Sequence, residues 1–218
     1  MIKGAIFDFD GTLFDSMPIW DTIAFDYLRS IGKEPHEDLT SKFAAMSMEQ
    51  AALYYQTEYG VQLTTKEIIA GVNHMVEQYY RNVTQPKKNT AALLELFHAH
   101  DVKMCITTAT DEVLVTAALQ RCHLDHYFSA VYSCSAVGKG KDHPDIFRQA
   151  LKHLGTLKEQ TLVFEDALYA VKTAKNDSFL VAGVYDKSEK EEESVKKISD
   201  YYLTSDTCLN EFWKQISA

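Results

Sequence analysis

The chain has 218 residues with 31 acidic against 22 basic side chains, a net charge of −9, which allows one good hydrophobic core and a smaller second unit. No basic patch stands out, which argues against a nucleic-acid or anionic-membrane surface, and no apolar run is long enough to span a bilayer. Cys105, Cys122, Cys134 and Cys208 are widely spaced with no metal-finger rhythm, as expected of reduced thiols in a cytoplasmic protein. The first strand is expected within a few residues of Met1, leaving no room for a signal peptide.

The first predicted element is the apolar strand Ala5-Ile6-Phe7, followed at once by Asp8-Phe9-Asp10-Gly11-Thr12. A strand has a side-chain period of two, so Asp8 and Asp10 face the same way, and Gly11 lets the backbone turn sharply. Two aligned acids at a strand exit suit phosphoryl transfer. A hard metal ion takes carboxylate oxygens, one carboxylate can attack phosphorus, and the other can hand a proton to the leaving oxygen.

After Asp15 the apolar spacing turns helical for about seventy residues. One helix runs to Gly32, a second from about Ser41 to Tyr59, and a third from the capping-box pattern Thr64-Thr65-Lys66-Glu67 to about Asn82. From Pro86 helices and strands alternate. A helix to His100 precedes the strand Val102 to Thr107. A helix from Asp111 to Cys122 and a short strand near Val131 follow, then a helix from Pro144 to Leu154 and the strand Thr161 to Phe164. The last elements are a helix from Ala167 to Lys175, the strand Phe179 to Val184, a solvated helix face within Lys187 to Lys197, the strand Tyr201-Leu203 and a helix from Asp206. Alternating strands and helices predict an α/β, doubly wound, Rossmann-like parallel sheet. The expected core is residues 1–14 with 84–218, and the all-α cap is residues 15–83, spliced in directly after the two aspartates as a mobile lid over the site.

Three further segments can contribute to a phosphate site. Thr107, Thr108 and Ala109 end an apolar strand, where hydroxyls and backbone N–H groups can meet an anion. The loop Gly138-Lys139-Gly140-Lys141-Asp142-His143-Pro144 offers two lysines, one of which could sit among the carboxylates. Glu165 and Asp166 end another buried strand and would complete an oxygen-rich cage for Mg²⁺.

With these four pieces in this order, the chain resembles the haloacid dehalogenase-like superfamily, in its branch of small phosphatases and phosphomutases with a helical cap. The resemblance spans the whole chain and is most specific in Asp8-Phe9-Asp10-Gly11-Thr12-Leu13-Phe14-Asp15-Ser16. It implies that Asp8 is the nucleophile and Asp10 the general acid, then base. It implies that Mg²⁺ is held by Asp8, the backbone carbonyl of Asp10, Asp166 and Glu165. Gly11, Thr108 and Ala109 would bind phosphate, with Thr107 the fallback for Thr108. Lys141 matches the family lysine because it stands three residues before Pro144-Asp145-Ile146-Phe147, with Lys139 the runner-up. In family members the first strand lies between the strands carrying the second and fourth pieces, which brings all four to one sheet edge.

The chain departs from the family where Ala167 and Ala170 follow the last acids and Asn176-Asp177 stands in place of Ala-Gly, so altered loop packing is expected with metal binding kept. Sugar phosphomutases of this branch tend to carry His where Trp20 stands and Arg where Met48 falls. Arg is the natural clamp for a second phosphate and Met cannot replace it. The expected activity is therefore hydrolysis of a small phosphorylated metabolite, with a phosphomutase as the alternative. A non-catalytic phosphate-binding or partner-binding module is the remaining rival, and retention of Asp8, Asp10, Lys141 and Asp166 stands against it. Ala44, Ala45, Met46, Ser47 and Met48, with Met17 and Trp20, fall in the substrate-selecting region of such caps, and their apolar character points to an uncharged leaving-group face. Packing within the cap accounts for Met and Trp at helical spacing equally well.

Overall fold

Gly4–Phe7 forms β1, a fully buried strand whose four residues carry no charge. The computed structural model describes residues 1–36, 39–43, 46 and 48–217, apart from the side chains of Thr40 and Ser41. The chain divides into two units, Met1–Asp15 with Thr84–Ala218 and Ser16–Val83.

The unit Ser16–Val83 is helical among its described residues: α1 (Pro18–Ser30), α2 (Leu39–Phe43), α3 (Met48–Tyr59) and α4 (Thr65–Asn82). The single helix expected from Ser41 to Tyr59 is thus two. Met46, which is not helical, lies between them, and its N–H donates to Phe43 O at 2.9 Å. Ala44, Ala45 and Ser47 lie outside the described residues. At the start of α4 the capping box is formed in both directions: Thr64 N–H donates to Glu67 Oε2 at 2.8 Å, and Glu67 N–H donates to Thr64 Oγ1 at 3.3 Å. Ile68, Val72, Val76 and Tyr80 then bury one stripe of α4.

The remaining elements of the other unit are α5 (Thr90–Ala99), β2 (Lys103–Thr108), α6 (Glu112–Arg121), β3 (Val131–Ser133), α7 (Cys134–Val137), α8 (Asp145–Leu154), β4 (Thr161–Glu165), α9 (Leu168–Asn176), β5 (Leu180–Val184), α10 (Glu192–Ile198), β6 (Tyr201–Leu203) and α11 (Leu209–Ser217). The helix expected from Pro86 begins only at Thr90. Lys87 N–H donates to Leu13 O at 2.9 Å, and Phe14 bridges Pro86 in antiparallel fashion. That segment is therefore extended alongside the β1 exit, and the left-handed Asn89 (φ 71°) precedes the first helical turn. The short helix α7 was not anticipated, because four residues carry too little periodicity to be read.

The sheet is entirely parallel in the order β3-β2-β1-β4-β5-β6. Its winding reverses at β1, which places the carboxyl ends of β1, β2 and β4 side by side at the switch point where ligands favour open α/β sheets. Alternation along β1 divides the core. Ile6 joins Cys105, Val163 and Val181 in a cluster with Phe147, Val171 and Phe179. Phe7 points the other way and stacks on Phe164 at 4.3 Å between ring centroids, with Phe97 of α5 edge-on to both. Full burial of such a ring contributes about 2–3 kcal/mol. The four cysteines are free thiols, and among the described residues no helix is long and apolar enough to cross a membrane.

Where Asn176-Asp177 departs from the family pattern, Asp177 gains a structural role. Arg148 holds it through two bonds, Nε to Oδ2 at 2.9 Å and Nη2 to Oδ1 at 2.6 Å. The Arg148 hydrogen bonds, with help from Lys158, keep the carboxyl below its ordinary range. A depressed folded-state pKa gives stability that is present above the unfolded value of 3.8 and disappears as pH falls through the folded value. Asp177→Asn should therefore cost about 1 kcal/mol at pH 7, or roughly 2–4 °C in Tm for a chain of this size. Thermal melts at pH 7 and at about pH 3 should show the gap between variant and parent closing at the lower pH. A gap of equal size at both would contradict the assignment.

Candidate active site

The β1 exit is shaped by its own backbone. Leu13 and Phe14 N–H both donate to Phe9 O, at 3.0 and 2.9 Å, and Gly11 N–H donates back to Phe14 O at 3.0 Å. Asp8 N–H donates to Phe164 O at 2.9 Å, which extends the β1–β4 ladder by one residue and sets Asp8 beside the end of β4. Gly11 is needed here for two reasons. Its φ is +75°, and a Cβ at this position would come within 2.3 Å of Asp166 Oδ2. Thr12 completes the joint by donating from Oγ1 to Asp166 Oδ1 at 3.0 Å.

Asp8, Glu165 and Asp166 are all buried, each offering a carboxylate oxygen within 4.8 Å of the others. Lys141, with only 3% of its side chain exposed, donates from Nζ to Asp8 Oδ1 and, at 2.5 Å, to Glu165 Oε1. A Gly-rich loop alone leaves two lysines open, with Lys141 favoured by the family resemblance, and the fold separates them. Gly138 closes α7 in the left-handed conformation (φ 79°), after which Lys139 turns outward to pair with Asp145 Oδ1 at 2.9 Å, while Lys141 reaches inward.

Electrostatics at this cluster follow from packing three carboxylates against one ammonium. Burial first, then the neighbouring acids Glu165, Asp166 and Asp10, push the Asp8 carboxyl well above its usual value against the opposing pull of Lys141. Burial together with Glu165 and Asp186 raises Asp166 to about 7. Burial alone would lower the Lys141 ammonium, but Asp8 and Glu165 outweigh it and hold it above its usual value. The surplus of negative charge, carried by oxygen donors, is what a hard divalent cation requires. The residues present therefore fit a metal ion.

Asp10 is treated differently. Its Oδ2 accepts from Thr110 Oγ1 at 2.7 Å and from Thr108 Oγ1 at 3.5 Å, so its side chain sits with the β2 exit, outside the trio. Thr108 is the hydroxyl facing Asp10, and its Oγ1 also accepts from Thr110 N–H at 3.0 Å. Thr107 Oγ1 is buried without a hydrogen-bond partner among the described residues. Ala109 is exposed between Thr108 and Thr110. Neither Thr110, directly after Ala109, nor the Thr12 hydroxyl, inside the first motif, is given a role by the sequence alone. Their orientation relative to Asp10 and Asp166 has no signature in spacing. In the helical unit, Trp20 and Met48 line one cavity of about 390 Å³ with Ile23, Tyr55, Ile68 and Val72.

Residues 5–184 match the family model described as haloacid dehalogenase-like hydrolase. The chain belongs to this family. Among curated relatives, the phosphorylated carbohydrates phosphatase of Thermotoga maritima is 23% identical over 80% of this chain and 81% of its own length. The phosphoglycolate phosphatase of Neisseria gonorrhoeae is 24% identical over 84% and 80%. Among solved structures, a putative beta-phosphoglucomutase from Thermotoga maritima superposes with a TM-score of 0.85 at 21% identity, covering 98% of this chain and 99% of that one. That likeness, at such identity, establishes the shared fold.

Proposed function

We propose that this chain is a Mg²⁺-dependent phosphatase that hydrolyses a small phosphorylated metabolite through an aspartyl phosphate on Asp8. The observation that carries the reading is the division of labour at one sheet edge. Asp8 is buried against Lys141 among Glu165 and Asp166, whereas Asp10 stands apart on the Thr108 and Thr110 hydroxyls. Two acids in environments this different are suited to different roles.

In this scheme Asp8, Asp166 and Glu165, with the backbone carbonyl of Asp10, would hold Mg²⁺. Once bound, the ion offsets the repulsion between a carboxylate and a phosphate dianion. An Asp8 oxygen attacks phosphorus as the ester P–O bond breaks, and Asp10 gives its proton to the leaving oxygen. Asp10 then takes a proton from water, whose oxygen attacks phosphorus as the Asp8–phosphorus bond breaks, returning both carboxylates to their starting state. Thr108, the Gly11 and Ala109 backbone and Lys141 hold the phosphoryl oxygens, and the Lys141 ammonium favours the ionised form of Asp8 against the burial that opposes it.

Relatives named as phosphatases of phosphorylated carbohydrates and of phosphoglycolate support a small phosphorylated substrate. Neutral Trp20 and Met48 favour release of phosphate over its return to a sugar, and four free cysteines favour the cytoplasm. Phosphate release should be measured across sugar phosphates, small acid phosphates and nucleotides, with Mg²⁺ and with a chelator. Release that stops on chelation is expected. Isomer interconversion without net release would instead assign a mutase, and tight binding without turnover a non-catalytic module.

A further inference from the structure

Lys87 lies in the segment that rejoins the sheet unit at Thr84, where a lysine after proline reads as an ordinary solvated loop residue. Its side chain is only 19% exposed. The ammonium donates to three acceptors: Gly11 O at 2.5 Å, Tyr185 O at 2.5 Å and Asp186 Oδ2 at 2.8 Å. That uses all three donors a lysine possesses. Asp186 is itself fixed, since its other oxygen accepts from Ser188 N–H at 2.9 Å and Ser188 Oγ at 2.6 Å.

The acceptor at Gly11 gives this arrangement its consequence. Gly11 is the residue whose α-carbon leaves no room for a side chain beside Asp166, and Thr12, which follows it, donates to Asp166 Oδ1. The Gly11 carbonyl and the Thr12 N–H belong to one planar peptide, so pinning the carbonyl fixes the peptide from which Thr12 reaches Asp166. Backbone bonds run parallel to it: Lys87 N–H donates to Leu13 O, and Asp15 N–H to Gln85 O, both at 2.9 Å. The β1-exit loop is thereby tied to the end of β5.

We propose that Lys87 is a positioning residue: its ammonium locks the Gly11–Thr12 peptide to the β5 exit and so holds the Asp166 carboxylate in place for the divalent ion. The inference rests on the metal-dependent reading above. It makes a prediction opposite in sign to that of a bystander charge. Removing a positive charge near an anionic site by itself strengthens cation binding, whereas releasing the loop that orients Asp166 weakens it.

The test is Mn²⁺ affinity, measured by calorimetry or by the electron paramagnetic resonance of the free ion, which needs no substrate or turnover. Lys87→Met should bind Mn²⁺ about tenfold more weakly, the scale on which outer partners of metal ligands act. Lys87→Arg keeps the charge but cannot converge on three acceptors, and should weaken binding by about threefold. It carries the test if Lys87→Met does not fold. Asp177→Asn serves as a control that lowers Tm away from the loop and should leave the affinity unchanged. Affinity equal to or tighter than the parent's in the folded Lys87 variants overturns the inference while leaving the proposed function intact. A parent protein that binds no Mn²⁺, or an Asp8→Asn variant that binds it as well as the parent, overturns the metal reading itself.

Discussion

Asp8→Asn should lower phosphate release by at least about a hundredfold, because the variant keeps the site's shape and loses the carboxylate proposed to attack phosphorus. Stability should move the other way. A carboxyl whose folded-state pKa is raised by burial and by neighbouring acids costs stability at every pH above its unfolded value. Replacing it with a neutral amide removes that cost, while the amide oxygen still accepts from Lys141. Thermal melts in chelator should therefore place the Asp8→Asn midpoint no lower than that of the parent. Full activity in the variant would end the nucleophile assignment. Loss of activity accompanied by a collapse in Tm would show that Asp8 is needed for folding and leave its catalytic role without support.

Lys141→Met should damage both properties. The ammonium is the cation paired with Asp8 and Glu165 in the buried cluster, and breaking a buried pair by deleting one partner costs about 3–5 kcal/mol. At roughly 2–4 °C per kcal/mol for a chain of this length, a fall in Tm of about 6 °C or more is expected in chelator. Added Mg²⁺ should recover part of the fall, since a bound cation stabilises the state that holds it. Turnover should drop by at least about a hundredfold. The matched change Lys139→Met removes only an exposed pair with Asp145, so its turnover should stay within about twofold of the parent. Similar losses in both variants would mean that the loop, not the Lys141 ammonium, matters.

Those two lysines illustrate what was legible in the sequence. Asp8 beside the end of β4 could be read from the strand order that the family resemblance implies, and the parallel sheet follows from alternating helices and strands. The loop itself could not choose between Lys139 and Lys141, since Gly-rich backbone permits either to turn inward; only the family resemblance, through the distance to Pro144, favoured Lys141. The choice is made by α7, a four-residue helix too short to carry a periodic signal. The helix expected from Pro86 failed for a related reason. Proline suits a first helical turn, but the segment's backbone N–H and C=O groups are taken by Leu13, Phe14 and Asp15 across seventy or more positions of sequence. Pairing at that range has no local signature, and it also conceals Lys87. The break between α2 and α3 was hidden by helix-forming alanines and methionines, whose propensity does not register the interruption at Met46.

The claim on which the account depends is that phosphorus is bonded to Asp8 during turnover, with Asp10 needed to release it. It is tested most directly by mixing the Asp10→Asn variant with a turned-over phosphomonoester and Mg²⁺, quenching in acid, and mapping phosphate by peptide mass spectrometry. Phosphate should accumulate on the peptide that contains residue 8, at that aspartate, and should be absent from the Asp8→Asn control. Phosphate found on another side chain, or a parent enzyme that turns over while neither it nor the Asp10→Asn variant ever carries a covalent phosphoryl group, would contradict the account.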